Sequence, residues 1–283
     1  MTLHKSDVRE LTQLSSGSPT TDGAGVQLRR LIGTPALPTV DPFLMLDFFG
    51  SNEPLDYIAG FPNHPHRGFE TVTYMLKGRM RHEDSLGNGG VIGPGDVQWM
   101  TAGRGLIHSE MPEQEEGLLQ GFQLWVNLPA AKKMMEPKYR GFQSKDLPIE
   151  ESEGTRVKVI AGETDRGLRG PIEIDTVSPI FFDIELKASV SFVQSVPAEL
   201  SGFLFVIGGA VRVGDVGTEL REGTIGVLGE GEIVKLRAAE GGAQLLLVAG
   251  RPLNEPVVRH GPFVMNTQTQ IRQAIRDYQQ GVF

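Results

Sequence analysis

Cysteine is absent from the 283 residues of this chain. Its absence excludes disulfide bridges, thiolate metal sites and cysteine nucleophiles. Any metal or catalytic chemistry must therefore be carried by other side chains. Histidine, the most versatile of these near neutral pH, occurs only six times, so the placement of each histidine is informative.

Long hydrophobic runs and an excess of positive charge are also missing. No run of about 18 apolar residues occurs, so we expect no membrane-spanning helix. The N-terminal segment MTLHKSDVRE is polar and lacks the apolar core of a signal peptide. We therefore expect a soluble, cytoplasmic protein. The formal net charge of −8 argues against direct nucleic-acid binding through a broad basic face.

Glycine and proline are plentiful, with 36 and 18 residues, and so many chain breakers favour short strands and turns over long helices. Val, Thr, Tyr and Phe are concentrated in strand-like segments at residues 69–76, 97–100 and 121–128. A short helix is predicted around 130–135, and an amphipathic one over 269–279. The composition thus predicts an all-β fold with a C-terminal α-helix.

The length predicts two domains, because 283 residues exceed what one core usually serves. The acidic segment 146–154 is interpreted as a connector. We predict an N-terminal domain over 1–145 and a C-terminal domain over 146–283. The segment YMLKG at 74–78 resembles FVIGG at 205–209, which suggests a duplicated β-domain.

Two residue pairs indicate a metal site: His64 with His66, and His108 with Glu110. The members of each pair are separated by one residue, and residues two apart on a strand point to the same face. Two neighbouring strands would aim three imidazoles and one carboxylate at one point. Such a donor set suits a divalent first-row metal ion. The alternative is that the histidines are ordinary surface or hydrogen-bonded residues.

The second half of the chain lacks these donors. When the two halves are aligned on their turn glycines, the four positions correspond to Ser195, Pro197, Leu236 and Ala238. No histidine occurs between His108 and His260. We therefore predict one metal per chain, held by the N-terminal domain.

Four further residues are candidates for a role at the site. Glu70 is interpreted as a structural residue in preference to a fifth ligand, although an outer hydrogen-bonding role is also open. His82 is interpreted as a packing histidine, with a place on the cavity wall as the alternative. His4 and His260 lack histidine or carboxylate neighbours at metal-ligand spacing and are interpreted as non-functional.

Other residues flank the predicted ligands. Asn63 and Arg67 either support the first histidine pair from outside or face solvent. Gly103 and Gly105 precede His108 and allow close approach of the backbone to another strand or to a ligand. Trp125 belongs to a group of aromatic residues that are expected in the core, one or two of which could wall a pocket for a flat ligand.

The stretches FPNHPHRGFET at 61–71 and GDVQWMTAGRGLIHSE at 95–110 resemble the two signature stretches of the pirin family, within the cupin superfamily. The tail resembles pirins as well, in RPLNEPVV at 251–258 and GPFVMNT at 261–267. The resemblance covers nearly the whole chain. It implies two cupin (jelly-roll) β-barrels arranged face to face, with a C-terminal α-helix.

The resemblance also implies a site and two functions. The pirin pattern places one iron on residues matching His64, His66, His108 and Glu110. Fe(II) is the expected metal, although Mn, Ni, Co or Cu could occupy the same ligands. One implied function is a quercetin 2,3-dioxygenase, which cleaves a flavonol with O2 and releases CO, with Glu110 as the catalytic base. The alternative is a non-enzymatic iron- or redox-sensing protein that binds and regulates a protein partner. A third interpretation is a cupin that acts on another small phenolic.

Overall fold

The structure is a computed structural model that describes residues 7–283, so His4 lies outside the described residues. The chain forms two compact units. The unit named here the first barrel comprises Ser18–Thr39, Phe43–Asp146 and Leu253–Phe283. The second barrel comprises Val40–Pro42, Leu147–Pro252 and the described residues up to Gly17.

Strands dominate both units. In chain order they are β1 (Leu11–Ser15), β2 (Ser18–Asp22), β3 (Val26–Ile32), β4 (Phe43–Ser51), β5 (Phe61–His66), β6 (Phe69–Lys77), β7 (Met80–Asp84), β8 (Gly89–Ile92), β9 (Val97–Thr101), β10 (Leu106–Pro112), β11 (Leu119–Asn127), β12 (Lys138–Phe142), β13 (Ile149–Ser152), β14 (Thr155–Ala161), β15 (Ile180–Leu186), β16 (Ser191–Ser195), β17 (Ser201–Val213), β18 (Thr218–Arg221), β19 (Ile225–Leu228), β20 (Ile233–Gly250), β21 (Val258–His260) and β22 (Phe263–Met265). The helix α1 spans Gln268–Gln279, and three short 3-10 helices lie at Pro54–Asp56, Ala130–Lys132 and Ser144–Asp146.

The first barrel is built from two antiparallel sheets. One has the order β12-β9-β6-β11-β4-β3-β2, and the other has the order β5-β10-β7-β8. The strand β6 is buried along seven of its nine residues, from Phe69 to Met75. Phe49, Met75 and Met80 share one buried apolar cluster. The small ribbon β21-β22 and helix α1, both from the C-terminal segment, belong to this barrel.

The second barrel is one sheet with the order β1-β19-β17-β20-β15-β14-β13. Two long strands, β17 and β20, also pair with the short strands β18 and β16. Strand β20 continues for 18 residues, and its buried residues change from alternate positions at its start to a continuous run at its end. Its apolar residues, such as Leu236 and Leu245, join one large cluster that fills this unit.

The units are not contiguous, in contrast to the predicted division between residues 145 and 146. Strand β1 pairs with β19, so the N-terminal segment completes the second barrel. The C-terminal segment returns to the first barrel, where Arg67 pairs with Phe263 through an isolated bridge. Such long-range pairings leave no local signal in the sequence.

The predicted helix at 269–279 is confirmed as α1. Thr267 caps its N-terminus by accepting a hydrogen bond from the Gln270 backbone, and the Gln270 side chain completes a capping box. The shorter predicted helix is only the 3-10 turn Ala130–Lys132. The predicted connector 146–154 contains strand β13, which pairs with β14. Within residues 7–283, no helix has the length and apolar character needed to cross a membrane.

Candidate metal centre

Two neighbouring strands carry the four predicted donors. His64 and His66 lie on β5, and His108 and Glu110 lie on β10. The strands are antiparallel, and His108 lies directly opposite His64. The pairing shifts between His108 and Glu110, so Glu110 lies opposite Phe61. Alternation along each strand therefore turns both histidines of β5 and His108 of β10 to the same side.

Three imidazoles converge at this point. The ring centroids of His64 and His108 are 4.4 Å apart, those of His64 and His66 are 4.7 Å apart, and those of His66 and His108 are 4.9 Å apart. Each ring offers a nitrogen, and the three nitrogens lie within 4.8 Å of one another. This spacing could hold one metal ion.

Glu110 lies beside this group of three histidines and belongs to a second group of possible metal donors. Its carboxylate and a nitrogen each of His108 and His82 also lie within 4.8 Å of one another. Thr73 Oγ1 donates a hydrogen bond to Glu110 Oε1 at 2.6 Å, and Gln123 Nε2 donates to Oε2 at 2.7 Å. Both carboxylate oxygens are therefore held in place. His108 belongs to both groups.

His82 also belongs to the centre, although the sequence predicted for it only a packing role or a place on the cavity wall. It is fully buried on β7 and lies opposite Glu110 in the pairing of β7 with β10. Its Nδ1 lies 3.4 Å from His108 Nδ1 and accepts from Gln98 Nε2 at 2.9 Å, and its ring stacks on that of Tyr139. The signal in the sequence was the spacing of His82 and Asp84, which repeats the one-residue gap of the ligand pairs.

Burial sets the charge of these groups. It lowers the pKa of His66 and His108 well below the usual value, and the neighbouring imidazoles lower it further. Burial likewise lowers the pKa of His64 and His82. The imidazoles are therefore neutral near pH 7, which is the form that binds metals. Burial raises the pKa of Glu110 to about 6, although its two hydrogen bonds oppose this shift.

The hydrogen-bonding pattern of the imidazoles fits a metal ion. His64 Nδ1 donates to the carbonyl oxygen of Pro62 at 2.8 Å, which leaves the lone pair on Nε2. Three buried imidazole nitrogens have no hydrogen-bond partner among the described residues: His66 Nδ1, His108 Nε2 and His82 Nε2, the last of which lies 3.7 Å from Asp84 Oδ2. Buried polar atoms are normally satisfied, so a cation is a natural partner for such lone pairs.

The centre opens into a cavity of about 480 Å³, which His64, His66 and Glu110 help to line. Aromatic and sulfur-containing side chains form much of its wall, namely Met45, Phe49, Phe61 and Trp125. Trp125 contacts His66 with ring centroids 5.2 Å apart. The expectation that an aromatic residue walls a pocket therefore holds for Trp125, and the volume is in the range of small-molecule sites.

Residues next to the predicted ligands tie the centre to the C-terminal segment. Arg67 is buried, and its Nη1 contacts Asp277 Oδ2 of α1 at 2.6 Å. The buried Lys133 Nζ donates to the carbonyl oxygens of Gly68 and Val264 at 2.7 and 3.1 Å. Arg67 therefore does not face solvent, and its side chain ties the segment that follows the histidine pair to α1. Asn63 is exposed.

The glycines before His108 allow close approach of protein. Gly103 has a φ of +52°, and a Cβ atom there would lie 2.2 Å from the carbonyl oxygen of Met135. Gly105 has a φ of +147°, and its Cβ would lie 2.8 Å from the ring of Phe283. Of the two uses expected for these glycines, contact with neighbouring chain segments is the one observed.

The remaining candidates lie apart from the cluster. Glu70 Oε2 accepts from Trp99 Nε1 at 3.0 Å, and Oε1 accepts from Thr101 Oγ1 at 2.5 Å. These bonds give Glu70 a structural role. His260 is exposed on β21 and belongs to neither group of metal-type donors in the described chain.

Comparison with known families agrees with this architecture. The pirin family model matches residues 25–126, and the model of the pirin C-terminal cupin domain matches residues 181–283. The chain belongs to the pirin family. The resemblance of the two signature stretches is thereby confirmed, as is the expected class of fold, mostly strands in two cupin domains with a C-terminal helix.

Individual pirin relatives match over almost their full length. A pirin-like protein of Caulobacter vibrioides is 50% identical over 98% of this chain and 99% of its own. A protein of Pseudomonas aeruginosa whose quercetin 2,3-dioxygenase assignment is provisional is 50% identical, over 97% of this chain and 98% of its own. A crystal structure of quercetin 2,3-dioxygenase from Acinetobacter baumannii is similar with a TM-score of 0.88 and 36% identity, covering 97% of this chain and 98% of that one.

Proposed function

We propose that this chain is an iron-dependent dioxygenase that cleaves a flavonol such as quercetin with O2 and releases CO. The observation that carries the proposal is the group of three imidazoles, with the Glu110 carboxylate beside it, next to an aromatic-walled cavity. The similarity to a quercetin 2,3-dioxygenase supports the choice of substrate class.

In this proposal His64, His66, His108 and Glu110 hold the metal. Iron bound there would supply Lewis acidity toward the hydroxyl and carbonyl oxygens of the flavonol and the redox chemistry that O2 requires. The neutral imidazoles need lose no proton to bind a cation. Fe(II) is proposed over Mn, Ni, Co and Cu because mixed imidazole and carboxylate donors suit a redox-active iron.

The protein side chains would bind the substrate, exclude water and move one proton. Phe49, Phe61 and Trp125 provide flat apolar walls for an aromatic ligand. Glu110 would accept the proton of the flavonol 3-hydroxyl, because its carboxylate lines the same cavity. Thr73 and Gln123 hold this carboxylate in position for the transfer. Net reaction of one flavonol with one O2 gives one CO and one ring-opened ester, so the atoms balance.

The decisive experiment is anaerobic loading of metal-free protein with Fe(II), addition of quercetin, and then addition of O2. We expect consumption of O2 and release of an equal amount of CO. The Glu110→Gln variant should keep part of the iron and lose about 100-fold or more of the turnover, since it removes the base. The matched control is His260→Ala, which changes an exposed histidine that does not line the cavity.

Two outcomes would count against the proposal. Unchanged quercetin turnover in Glu110→Gln would discard the base role of Glu110. Binding of flavonol to the iron-loaded protein without CO release would discard the dioxygenase. In that case, partner binding that differs between the Fe(II) and Fe(III) forms would be the signature of the redox-sensing alternative.

A further inference from the structure

Arg259, on the short strand β21, lines the same cavity as the predicted ligands. Its guanidinium carbon lies 4.4 Å from the centroid of the Trp125 ring. The Trp125 ring in turn contacts the ring of His66. A single indole therefore contacts both a cation and one of the proposed metal ligands, so a ligand that reaches the metal lies close to this arginine.

No acidic group of the described chain neutralises Arg259 directly. Its Nε donates to the Gly261 carbonyl oxygen at 3.3 Å, and its Nη2 contacts Met45 Sδ at 3.7 Å. Among residues 7–283, no carboxylate oxygen lies within 4.0 Å of the guanidinium. A guanidinium has five N–H donors, so most of those of Arg259 have no acceptor within the described part of the chain.

Three carboxylates line the cavity. Glu110 belongs to the proposed metal centre, and the other two are committed to another arginine. Arg30 Nη2 contacts Asp22 Oδ2 at 2.7 Å and Asp47 Oδ2 at 2.7 Å. Arg30 Nε also donates to Asp47 Oδ1 at 2.8 Å, which makes the pair with Asp47 bidentate. This geometry fixes both acids toward Arg30. The guanidinium of Arg259 is therefore the charged donor that remains for a ligand.

We propose that Arg259 selects aromatic ligands that carry an ionised acidic group, a phenolate or a carboxylate, at the end away from the metal. The inference rests on the proposed function only in taking this cavity as the substrate site. A guanidinium stacked on an indole keeps its edge available for a planar anion, which it binds through two parallel hydrogen bonds. Phe49 and Phe61 provide the walls for the ring that connects the two ends.

The test measures binding without turnover. Calorimetric titrations under nitrogen, on metal-free and on Fe(II)-loaded protein, compare 3-hydroxyflavone carrying a carboxylate at position 4′ or 7 with the corresponding methyl esters. We expect at least one carboxylate to bind about tenfold more tightly than its ester, which corresponds to one charge-assisted pair. A second arm compares quercetin with its 7-O-methyl ether at a pH that ionises the 7-hydroxyl, and so distinguishes phenolate from carboxylate.

Variants assign the preference to the arginine. Arg259→Met should reduce the preference for the anion to about twofold or less while leaving the affinity of the ester nearly unchanged. Arg259→Lys should keep part of the preference because it keeps the charge without the planar fork. The matched control is Arg237→Met, which alters an exposed arginine of the second barrel and should change nothing.

Failure of this inference is separable from failure of the proposed function. A charge preference that persists in Arg259→Met, or the absence of any preference in the wild type, would overturn the role of Arg259. CO release with no dependence on Arg259 would leave the dioxygenase standing and remove the inference. Arg259-dependent anion binding without CO release would support the role of Arg259 and remove the dioxygenase.

Discussion

The first barrel keeps imidazole, carboxylate and amide groups at its centre, whereas the second barrel fills the corresponding strands with apolar side chains. His108 and Glu110 of β10 correspond to Leu236 and Ala238 of β20, which are both buried in a large hydrophobic cluster. The same arrangement of strands thus supports two kinds of interior. One leaves space and lone pairs for a ligand, and the other gains stability by burying apolar area.

Strand register refines this comparison. His64 lies opposite His108 in the first barrel, and Phe192 lies opposite Leu236 in the second. The residue that takes the place of His64 is therefore Phe192, and not Ser195 as the alignment on glycines indicated. Neither residue carries an imidazole or a carboxylate, so the conclusion that the second copy lacks the donors is unchanged.

The largest effect should come from making the first barrel resemble the second. We expect His108→Leu to lower metal affinity by about 100-fold or more, because a ligand shared by both donor groups is lost. The metal-free variant should be at least as stable as the wild type, since an unsatisfied buried nitrogen is replaced by an apolar group. Elemental analysis and urea denaturation measure the two effects. Full metal occupancy in this variant would contradict the proposed ligand set.

The reciprocal change should cost stability without creating a site. We expect Leu236→His to lower the free energy of unfolding by about 3 kcal/mol, because it removes a buried apolar side chain and buries a polar ring without a partner. Metal content should stay that of the wild type. The control Val193→His places the same residue at an exposed position of β16 and should cost little. A second equivalent of bound metal in Leu236→His would show that the second barrel is less completely filled than described.

A somewhat smaller effect is expected at Lys133, whose Nζ also donates to Asn127 Oδ1 at 2.6 Å. Burial lowers the pKa of Lys133 to about 8. We expect Lys133→Met to lower the free energy of unfolding at pH 7 by about 2 kcal/mol, because three oxygen acceptors lose their donor. Thermal and urea unfolding would measure this, with the exposed Lys132→Met as the matched control. Equal stability of the two variants would mean that the acceptors find other partners.

The convergence of three histidines could be predicted from the sequence because the signal was local, and their role as metal ligands stays a prediction. His64 with His66, and His108 with Glu110, show the alternation of a strand, and the turn glycines delimit the strands that carry them. Which strands become neighbours depends on pairing between distant segments. The positions of the other residues of the site could therefore not be predicted from the sequence. His82 enters the centre through the pairing of β7 with β10, and its one-residue spacing from Asp84 is a local signal that does not indicate this pairing.

Arg259 was missed for a related reason. It lies more than 130 residues after Trp125 in the chain and reaches the cavity only because the C-terminal segment joins the first barrel. An isolated arginine in a tail has no periodicity or spacing that would indicate a place on a cavity wall. Its surroundings emerge only from the tertiary structure.

The exchange of terminal segments has a practical consequence for dissecting this molecule. A fragment that stops at residue 145 would lack Lys133's acceptor at Val264, the helical partner of Arg67, and Arg259 on the cavity wall. A fragment that starts at residue 146 would leave strand β19 without its neighbour β1. Independent expression of either barrel therefore calls for a permuted or spliced polypeptide, in which the outlying piece is joined to the unit that it completes.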